Sequence, residues 1–230
     1  GTPWFFYLAH HTIHGKVSAP APLVAKYRDR GAPETGLHNA TYLAAIEHLD
    51  NSIGRLMAKL DELGQRDRTI VVFLSDNGGV DIIYDKKPLA EGYDARNGTQ
   101  LAVDVREFSN APLRMGKGSH YEGGIRVPCI VRWPGVIRPQ TVSDTPVHVV
   151  DWLPTFLAAG GGHAPPDHIV DGANLVPLFR GGAPPARALF WYMPFYELRW
   201  GATPSAIIRE GDWKLIEFFG DWFDPAGRYV

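Results

Sequence analysis

Thr69-Ile70-Val71-Val72-Phe73-Leu74-Ser75-Asp76-Asn77-Gly78-Gly79 is the stretch from which the fold can be read. Six residues of strong strand preference run directly into Asp-Asn-Gly-Gly. Such a run predicts a buried strand that presents a carboxylate and a carboxamide at its C-terminal edge, where open α/β sheets hold ligands. Asp76 and Asn77 offer hard oxygen donors, which suit Ca²⁺ or Mg²⁺ better than a thiophilic metal. The same four residues also make a good turn, since each tolerates turn or left-handed backbone. The stretch alone does not separate these two readings.

Ahead of this strand, Thr41 to Leu63 carries apolar residues at helical spacing (Tyr42, Ile46, Leu49, Ile53, Leu56, Leu60 and Leu63), with Gly64 placed to end the helix. Trp4-Phe5-Phe6-Tyr7-Leu8-Ala9 predicts an earlier buried strand, so strand, helix and strand follow in the order of a right-handed crossover and a parallel sheet. Residues 15 to 40 read mainly as loop, because Pro and Gly recur there. Residues 78 to 120 have no sustained period, and such a long connection is usually functional. Ile125 to Trp133 predicts another strand, and Asp151 is placed to cap a helix that Gly160-Gly161-Gly162 stops. Beyond residue 185 the pattern shifts to short strands at Ala188–Met193, Ser205–Arg209 and Trp213–Phe218, the last two joined by a Glu210-Gly211-Asp212 turn. Trp191, Tyr192, Phe195, Tyr196 and Trp200 read chiefly as packing residues, with stacking on a sugar or aromatic ring as the alternative.

Composition narrows the function. The 230 residues are 45% hydrophobic, enough for a proper core, and the formal charge of −2 gives no reason to expect nucleic acid or an acidic membrane as partner. No apolar run is long enough to predict a transmembrane segment. The single cysteine, Cys129, excludes an internal disulfide framework and a Cys-rich zinc site, and reads as a buried strand residue. The chain enters an apolar segment within its first residues, which predicts that it continues a longer protein.

Two further groups could carry chemistry. His10, His11 and His14 follow the first predicted strand, either as local hydrogen-bonding loop residues or as a proton source and donor to an anion. Lys117 stands between Gly116 and Gly118, where little backbone bulk would separate its ammonium from a ligand. The Walker spacing is absent around Lys117, and Asp76 does not open an EF-hand loop.

Taken together, His11-Thr12-Ile13-His14, Ser75-Asp76-Asn77-Gly78, Gly116-Lys117-Gly118 and Tyr121-Glu122-Gly123-Gly124-Ile125-Arg126-Val127-Pro128 resemble the type I sulfatase family. Trp133-Pro134-Gly135, Asp151-Trp152-Leu153-Pro154-Thr155 and Gly211-Asp212-Trp213-Lys214-Leu215 fit the same order. The resemblance covers nearly the whole chain and implies an α/β fold. Residues 1–184 would be the second half of an alkaline-phosphatase-like domain, with a mostly parallel sheet flanked by helices. Residues 185–230 would be a small, incomplete C-terminal antiparallel sheet sub-domain.

Carried over by position, the resemblance makes Asp76 and Asn77 metal ligands, usually for Ca²⁺, with Mg²⁺ possible. Lys117 becomes the contact to a sulfate oxygen. His14 becomes the histidine near the sulfate and its leaving oxygen, with His11 as alternative because Ile13 stands where the family often has Pro. Glu122 and Arg126 would form an ion pair that shapes the loop under Lys117. The implied reaction is hydrolysis of a small-molecule or carbohydrate sulfate ester. Its formylglycine nucleophile arises from a C/S-x-P-x-R motif, expected upstream in the missing N-terminal half. Neither Cys129-Ile130-Val131-Arg132-Trp133 nor Ser18-Ala19-Pro20-Ala21-Pro22 supplies that motif. The chain alone is therefore expected to be inactive and prone to associate through uncovered strands. The alternatives are a phosphate or phosphonate ester hydrolase of the same superfamily, and a catalytically inactive truncated chain.

Overall fold

The computed structural model describes residues 2–81, 108–195 and 203–220. Residues 82–107 of the long connection expected over residues 78–120 lie outside the described residues, as do Tyr196 and Trp200.

Helix α1 (Ala21–Asp29) falls in the region read as loop. Pro20 and Pro22 sit at its first turn, where proline's fixed φ and missing N–H suit a helix start, so the prolines begin a helix instead of preventing one. Helix α2 (Ala40–Glu62) forms where its periodicity predicts. Asn39 caps it by accepting a 2.9 Å hydrogen bond from the Tyr42 amide. Past its end, Gly64 takes a φ of 61°. The two helices pack through Val24, Ala40 and Ala44, flanked by Leu23 and Tyr27. Lys26 reinforces the contact by donating to both Glu47 carboxylate oxygens at 2.7 Å.

Strand β1 (Val71–Leu74) follows as predicted, although its residues are half-buried. It pairs antiparallel with β2 (Cys129–Arg132), Val71 opposite Arg132 and Leu74 opposite Cys129. One face of this pair meets α2, where Ile53, Met57, Val71, Phe73 and Ile130 line a cavity of about 290 Å³. None of the candidate site residues lines that cavity. The other end of the predicted β2 segment is different. Glu122–Ile125 forms the short helix α3, so Ile125 is helical and the strand begins at Cys129. Cys129 is exposed, not buried.

Trp4 to Ala9 forms no strand. A buried strand needs a paired neighbour and cover on its faces. Here no described strand pairs with it, and its side chains are exposed, Phe5 to 73% and Tyr7 to 79%. Phe5 retains an edge-on contact with Phe156 at 5.8 Å. The described strands pair only antiparallel, so the predicted parallel crossover does not form within them.

A short 3₁₀ turn (Val149–Asp151) leads into α4 (Trp152–Ala159), which ends at Gly160. Asp151 does not cap α4 through its side chain. It is fully buried and accepts from the amides of His148 (2.7 Å) and Ala173 (2.9 Å) and from both Arg187 η-nitrogens, Nη1 at 2.6 Å. A buried carboxylate takes charged and amide donors in preference to a single helix end. Trp152 stacks on Phe156 and on Phe179 of α5 (Val176–Phe179), extending an apolar contact across this region.

The C-terminal strands form where alternation placed them: β3 (Leu189–Met193), β4 (Ser205–Glu210) and β5 (Trp213–Phe218), antiparallel in that order. Gly211 turns the β4–β5 hairpin at φ 54°. Ser205, Ile207 and Arg209 share one face of this sheet with their partners Phe218, Ile216 and Lys214. Tyr192 and Phe195 are exposed and do not belong to the core.

Candidate functional site

The end of β1 and the Lys117 loop are built against each other through backbone. The Gly78 amide donates to the Gly124 carbonyl (2.9 Å), and the Lys117 amide donates to the Gly79 carbonyl (2.9 Å). The Gly123 amide closes the same unit on the Arg114 carbonyl at 2.8 Å. Glycine is required by distance here. A Cβ on Gly78 would lie 1.7 Å from the Gly123 oxygen, and one on Gly123 would lie 1.8 Å from the Met115 oxygen. Gly116 has the same origin, since its Cβ would meet the Gly79 oxygen at 2.4 Å. The glycine before Lys117 thus serves packing against the β1 end, beyond the ligand access read from the sequence.

Asn110 braces the junction. Its Nδ2 donates to the carbonyls of Gly79 (2.7 Å) and Met115 (3.2 Å), joining both loops through one side chain. Sequence reasoning missed this residue; only its position ahead of Ala111-Pro112, at the start of the Lys117 stretch, hinted at it.

On this frame the structure brings His14 and Lys117 together. Lys117 Nζ lies 3.0 Å from His14 Nε2, across 103 positions of sequence. An ammonium can only donate, so Nε2 is the acceptor, and the ring proton resides on Nδ1, which faces the Gly15 carbonyl at 3.3 Å. The His11 ring stands edge-on to His14, with centroids 5.6 Å apart. His14 is exposed and Lys117 half-buried, so an anion approaching from solvent can reach both.

Asp76 is exposed just past the end of β1, with Asn77 beside it half-buried. Asp76 Oδ1 accepts from the Asn77 amide (3.0 Å) and from Asn77 Nδ2 (2.7 Å). That leaves Asp76 Oδ2 and the Asn77 carbonyl-type Oδ1 as oxygen donors at the sheet edge. These fit a hard divalent cation in kind but supply only part of the six to eight oxygens such an ion takes. No cluster of three or more His, Cys, Asp or Glu side chains occurs among the described residues.

The expected Glu122–Arg126 ion pair is replaced by another. Glu122 opens α3 and accepts from Lys214 of β5 at 2.8 Å, while Arg126 lies beyond the helix end with extended backbone and is exposed. Burial alone would raise the Glu122 carboxyl, but the Lys214 hydrogen bond, with the charges of Lys214, Arg209 and Arg126, holds it below the ordinary glutamate value.

Comparison with known proteins fits these features. The sulfatase family profile matches residues 1–162, and the profile described as N-sulphoglucosamine sulphohydrolase, C-terminal, matches residues 115–224. The chain belongs to the sulfatase family. It is 34% identical to the steryl-sulfatase of Mus musculus over 229 residues, covering 98% of this chain and 32% of that protein. The sulfatase chain thus spans about a third of the length of such curated relatives. Among solved structures, Ps i-CgsB superposes with a TM-score of 0.71 at 27% identity, over 94% of this chain and 42% of the other. A protein solved with its substrate D-glucosamine-2-N,6-O-disulfate gives a TM-score of 0.56 at 28% identity, over 87% and 37%. These likenesses carry the α/β, alkaline-phosphatase-like architecture, of which the β1–β2 pair and its helices are the described portion here.

Proposed function

We propose that this chain forms the sulfate-facing part of the active site of a sulfuric ester hydrolase. The observation that carries the reading is the 3.0 Å approach of Lys117 Nζ to His14 Nε2, with the Lys117 amide bonded to the Gly79 carbonyl that closes Asp76-Asn77-Gly78-Gly79. Lys117 donates to an oxygen of the bound sulfuryl group and stabilises charge there. With the Lys117 ammonium turned to the sulfuryl oxygen, His14 Nε2, which accepts from Lys117 in this structure, is the nitrogen that takes up a proton, because Nδ1–H is committed to the Gly15 carbonyl. Protonated at Nε2, His14 can hydrogen-bond or protonate the ester oxygen as its bond to sulfur breaks. His11 lies alongside as a second donor to the anion.

Asp76 and Asn77 would hold the divalent cation, Ca²⁺ or Mg²⁺, with further ligands from elsewhere in the whole protein. When bound, such an ion neutralises charge on the sulfuryl oxygens. No C/S-x-P-x-R sequence occurs in the 230 residues, so a formylglycine nucleophile would come from a part of the protein outside them. The substrate class is a small-molecule or carbohydrate sulfate ester.

The test is a comparison of kcat/KM on an aryl sulfate and an aryl phosphate, using purified protein that contains this chain and the nucleophile segment. Sulfate should be the preferred substrate, and Lys117→Ala should lower its kcat by roughly 10²–10³-fold, as loss of one anion-stabilising donor does elsewhere. A clear phosphate preference would overturn the reading. The 230-residue chain by itself should show no turnover.

A further inference from the structure

Three consecutive residues of the Lys117 loop face the same side of the C-terminal sheet. His120 is buried, and its Nδ1 lies 2.8 Å from Ser205 Oγ at the start of β4. The Ser205 hydroxyl donates to the Thr203 carbonyl at 3.0 Å, so its oxygen is left to accept from His120 Nδ1–H. Tyr121 stands 6.5 Å, ring to ring, from Phe218, the cross-strand partner of Ser205, and the Arg114 guanidinium covers its ring at 3.9 Å. Glu122 takes the Lys214 ammonium two rungs further along the same face. The loop that presents Lys117 is therefore clamped on both sides, by β1-end backbone at Gly78 and Gly79 and by sheet side chains at residues 120–122. The β1 side fixes the loop's backbone path. The sheet side holds residues 120–122, three to five positions beyond Lys117.

We propose that the C-terminal sheet is a positioning element for Lys117, acting through the His120–Ser205 hydrogen bond and the Glu122–Lys214 ion pair. Neither pair touches substrate. Their role rests on the reading of Lys117 as a sulfate contact, and it identifies what the small sheet contributes to the reaction: register of one catalytic ammonium. Ser205 and Lys214 lie 88 and 97 positions beyond Lys117 in sequence, so a change in the C-terminal sheet would reach the chemistry without contacting it.

The decisive measurement is a double-mutant cycle on aryl sulfate hydrolysis, in active protein containing this chain. Ser205→Ala and Lys214→Met should each lower kcat/KM about tenfold when Lys117 is present, since small misplacement of a catalytic group is costly. In the Lys117→Ala background each should cost less than about twofold, because the group they position is gone. The charge reversal Glu122→Lys with Lys214→Glu should recover most of the activity that either single reversal loses. Ser205→Ala removes only a hydroxyl, so a thermal melt close to wild type would show that the loss is not unfolding. Equal losses with and without Lys117 would overturn the proposal and make the sheet merely structural. Unchanged activity in Lys117→Ala would instead sink the assignment of Lys117 itself, a separate result read from the same cycle.

Discussion

The Lys117 loop and the His11–His14 segment each deliver one group to the same point, yet they are held in opposite ways. The loop is fixed by amide–carbonyl bonds at Gly78, Gly79, Gly123 and Gly124, by Asn110, and by side-chain pairs to the C-terminal sheet. Gly78, Gly116, Gly123 and Gly124 sit where no Cβ fits. The histidine segment is largely exposed and, among the described residues, turns on one His14-to-His11 backbone bond of 2.8 Å, with His14 meeting Lys117 at its tip. The two mounts suit different tasks. In the roles proposed above, an ammonium set against developing negative charge gains from a preorganised mount, whereas a histidine exchanging protons with substrate and solvent works from an accessible one.

The largest expected effect breaks the loop's support at a distance. Arg187 lies just ahead of β3 and binds the buried Asp151 carboxylate through two nitrogens. Asp151→Ala would leave a guanidinium without its partner and two amides without an acceptor, and should destabilise the fold by about 3–5 kcal/mol. Chemical denaturation of the purified protein would measure it; a loss under about 1 kcal/mol would show that the β3 strand is anchored by other contacts.

Next in size is Gly78→Ala. The added Cβ would meet backbone atoms at 1.7 Å and 2.9 Å, and none of them is a flexible side-chain end. The β1 end and α3 would have to separate, at a cost of about 1–3 kcal/mol and with the Lys117 loop displaced. Activity on aryl sulfate should fall more than stability does, since displacement of the loop moves the ammonium even in molecules that remain folded.

A smaller effect follows from pH. Burial, and then the positive charge of Lys214, push the His120 imidazole below its ordinary value. The folded state therefore binds its proton less readily than the unfolded chain. The stability this represents is complete above about pH 6.5 and falls as pH drops from there toward the depressed value. Glu122 is held low by the Lys214 bond against the opposing effect of burial, and Asp151 by Arg187 and the amides of His148 and Ala173 against the same opposition. Their contributions stay intact until the pH falls below about 4 and are then lost. Burial pushes the His148 imidazole down as well, so melting temperature measured between these limits should decline first through a window the two histidines share, and His120→Asn should flatten part of that decline.

Much of this comparison was legible in the sequence, and its limits have physical causes. Helix α2, strand β1 and the three C-terminal strands announce themselves because local period and turn chemistry agree with the tertiary packing. The meeting of His14 with Lys117 was legible only through family resemblance, since nothing local links residues 103 positions apart. The apolar run Trp4–Ala9 carries the local signal of a buried strand, but a strand also needs a neighbour, and no described strand pairs with it. Helix α1 was hidden by prolines that lie at its first turn. The true partner of Glu122 was hidden because Arg126, four residues away, offered a nearer opposite charge in sequence, while Lys214 is brought in by the sheet. Pairing between side chains depends on which face of β5 turns inward, and that becomes certain only once the hairpin has docked.

The smallest expected effect is the one that sharpens the contrast most. Gly15 follows His14 directly, as Gly116 precedes Lys117, so sequence alone makes the two glycines look equivalent. Their surroundings differ. A Cβ built on Gly15 meets nothing within 4 Å and its φ is not in the left-handed region, whereas one on Gly116 meets the Gly79 oxygen at 2.4 Å. Gly15→Ala should therefore change stability by no more than about 0.5 kcal/mol. Gly116→Ala should cost several times as much through backbone displacement. Melting curves of the two variants, run side by side with aryl sulfate activity, decide the matter. A Gly15→Ala loss as large as that of Gly116→Ala would mean that the histidine segment is gripped as tightly as the loop, and the proposed division between a fixed ammonium and an accessible imidazole would fail.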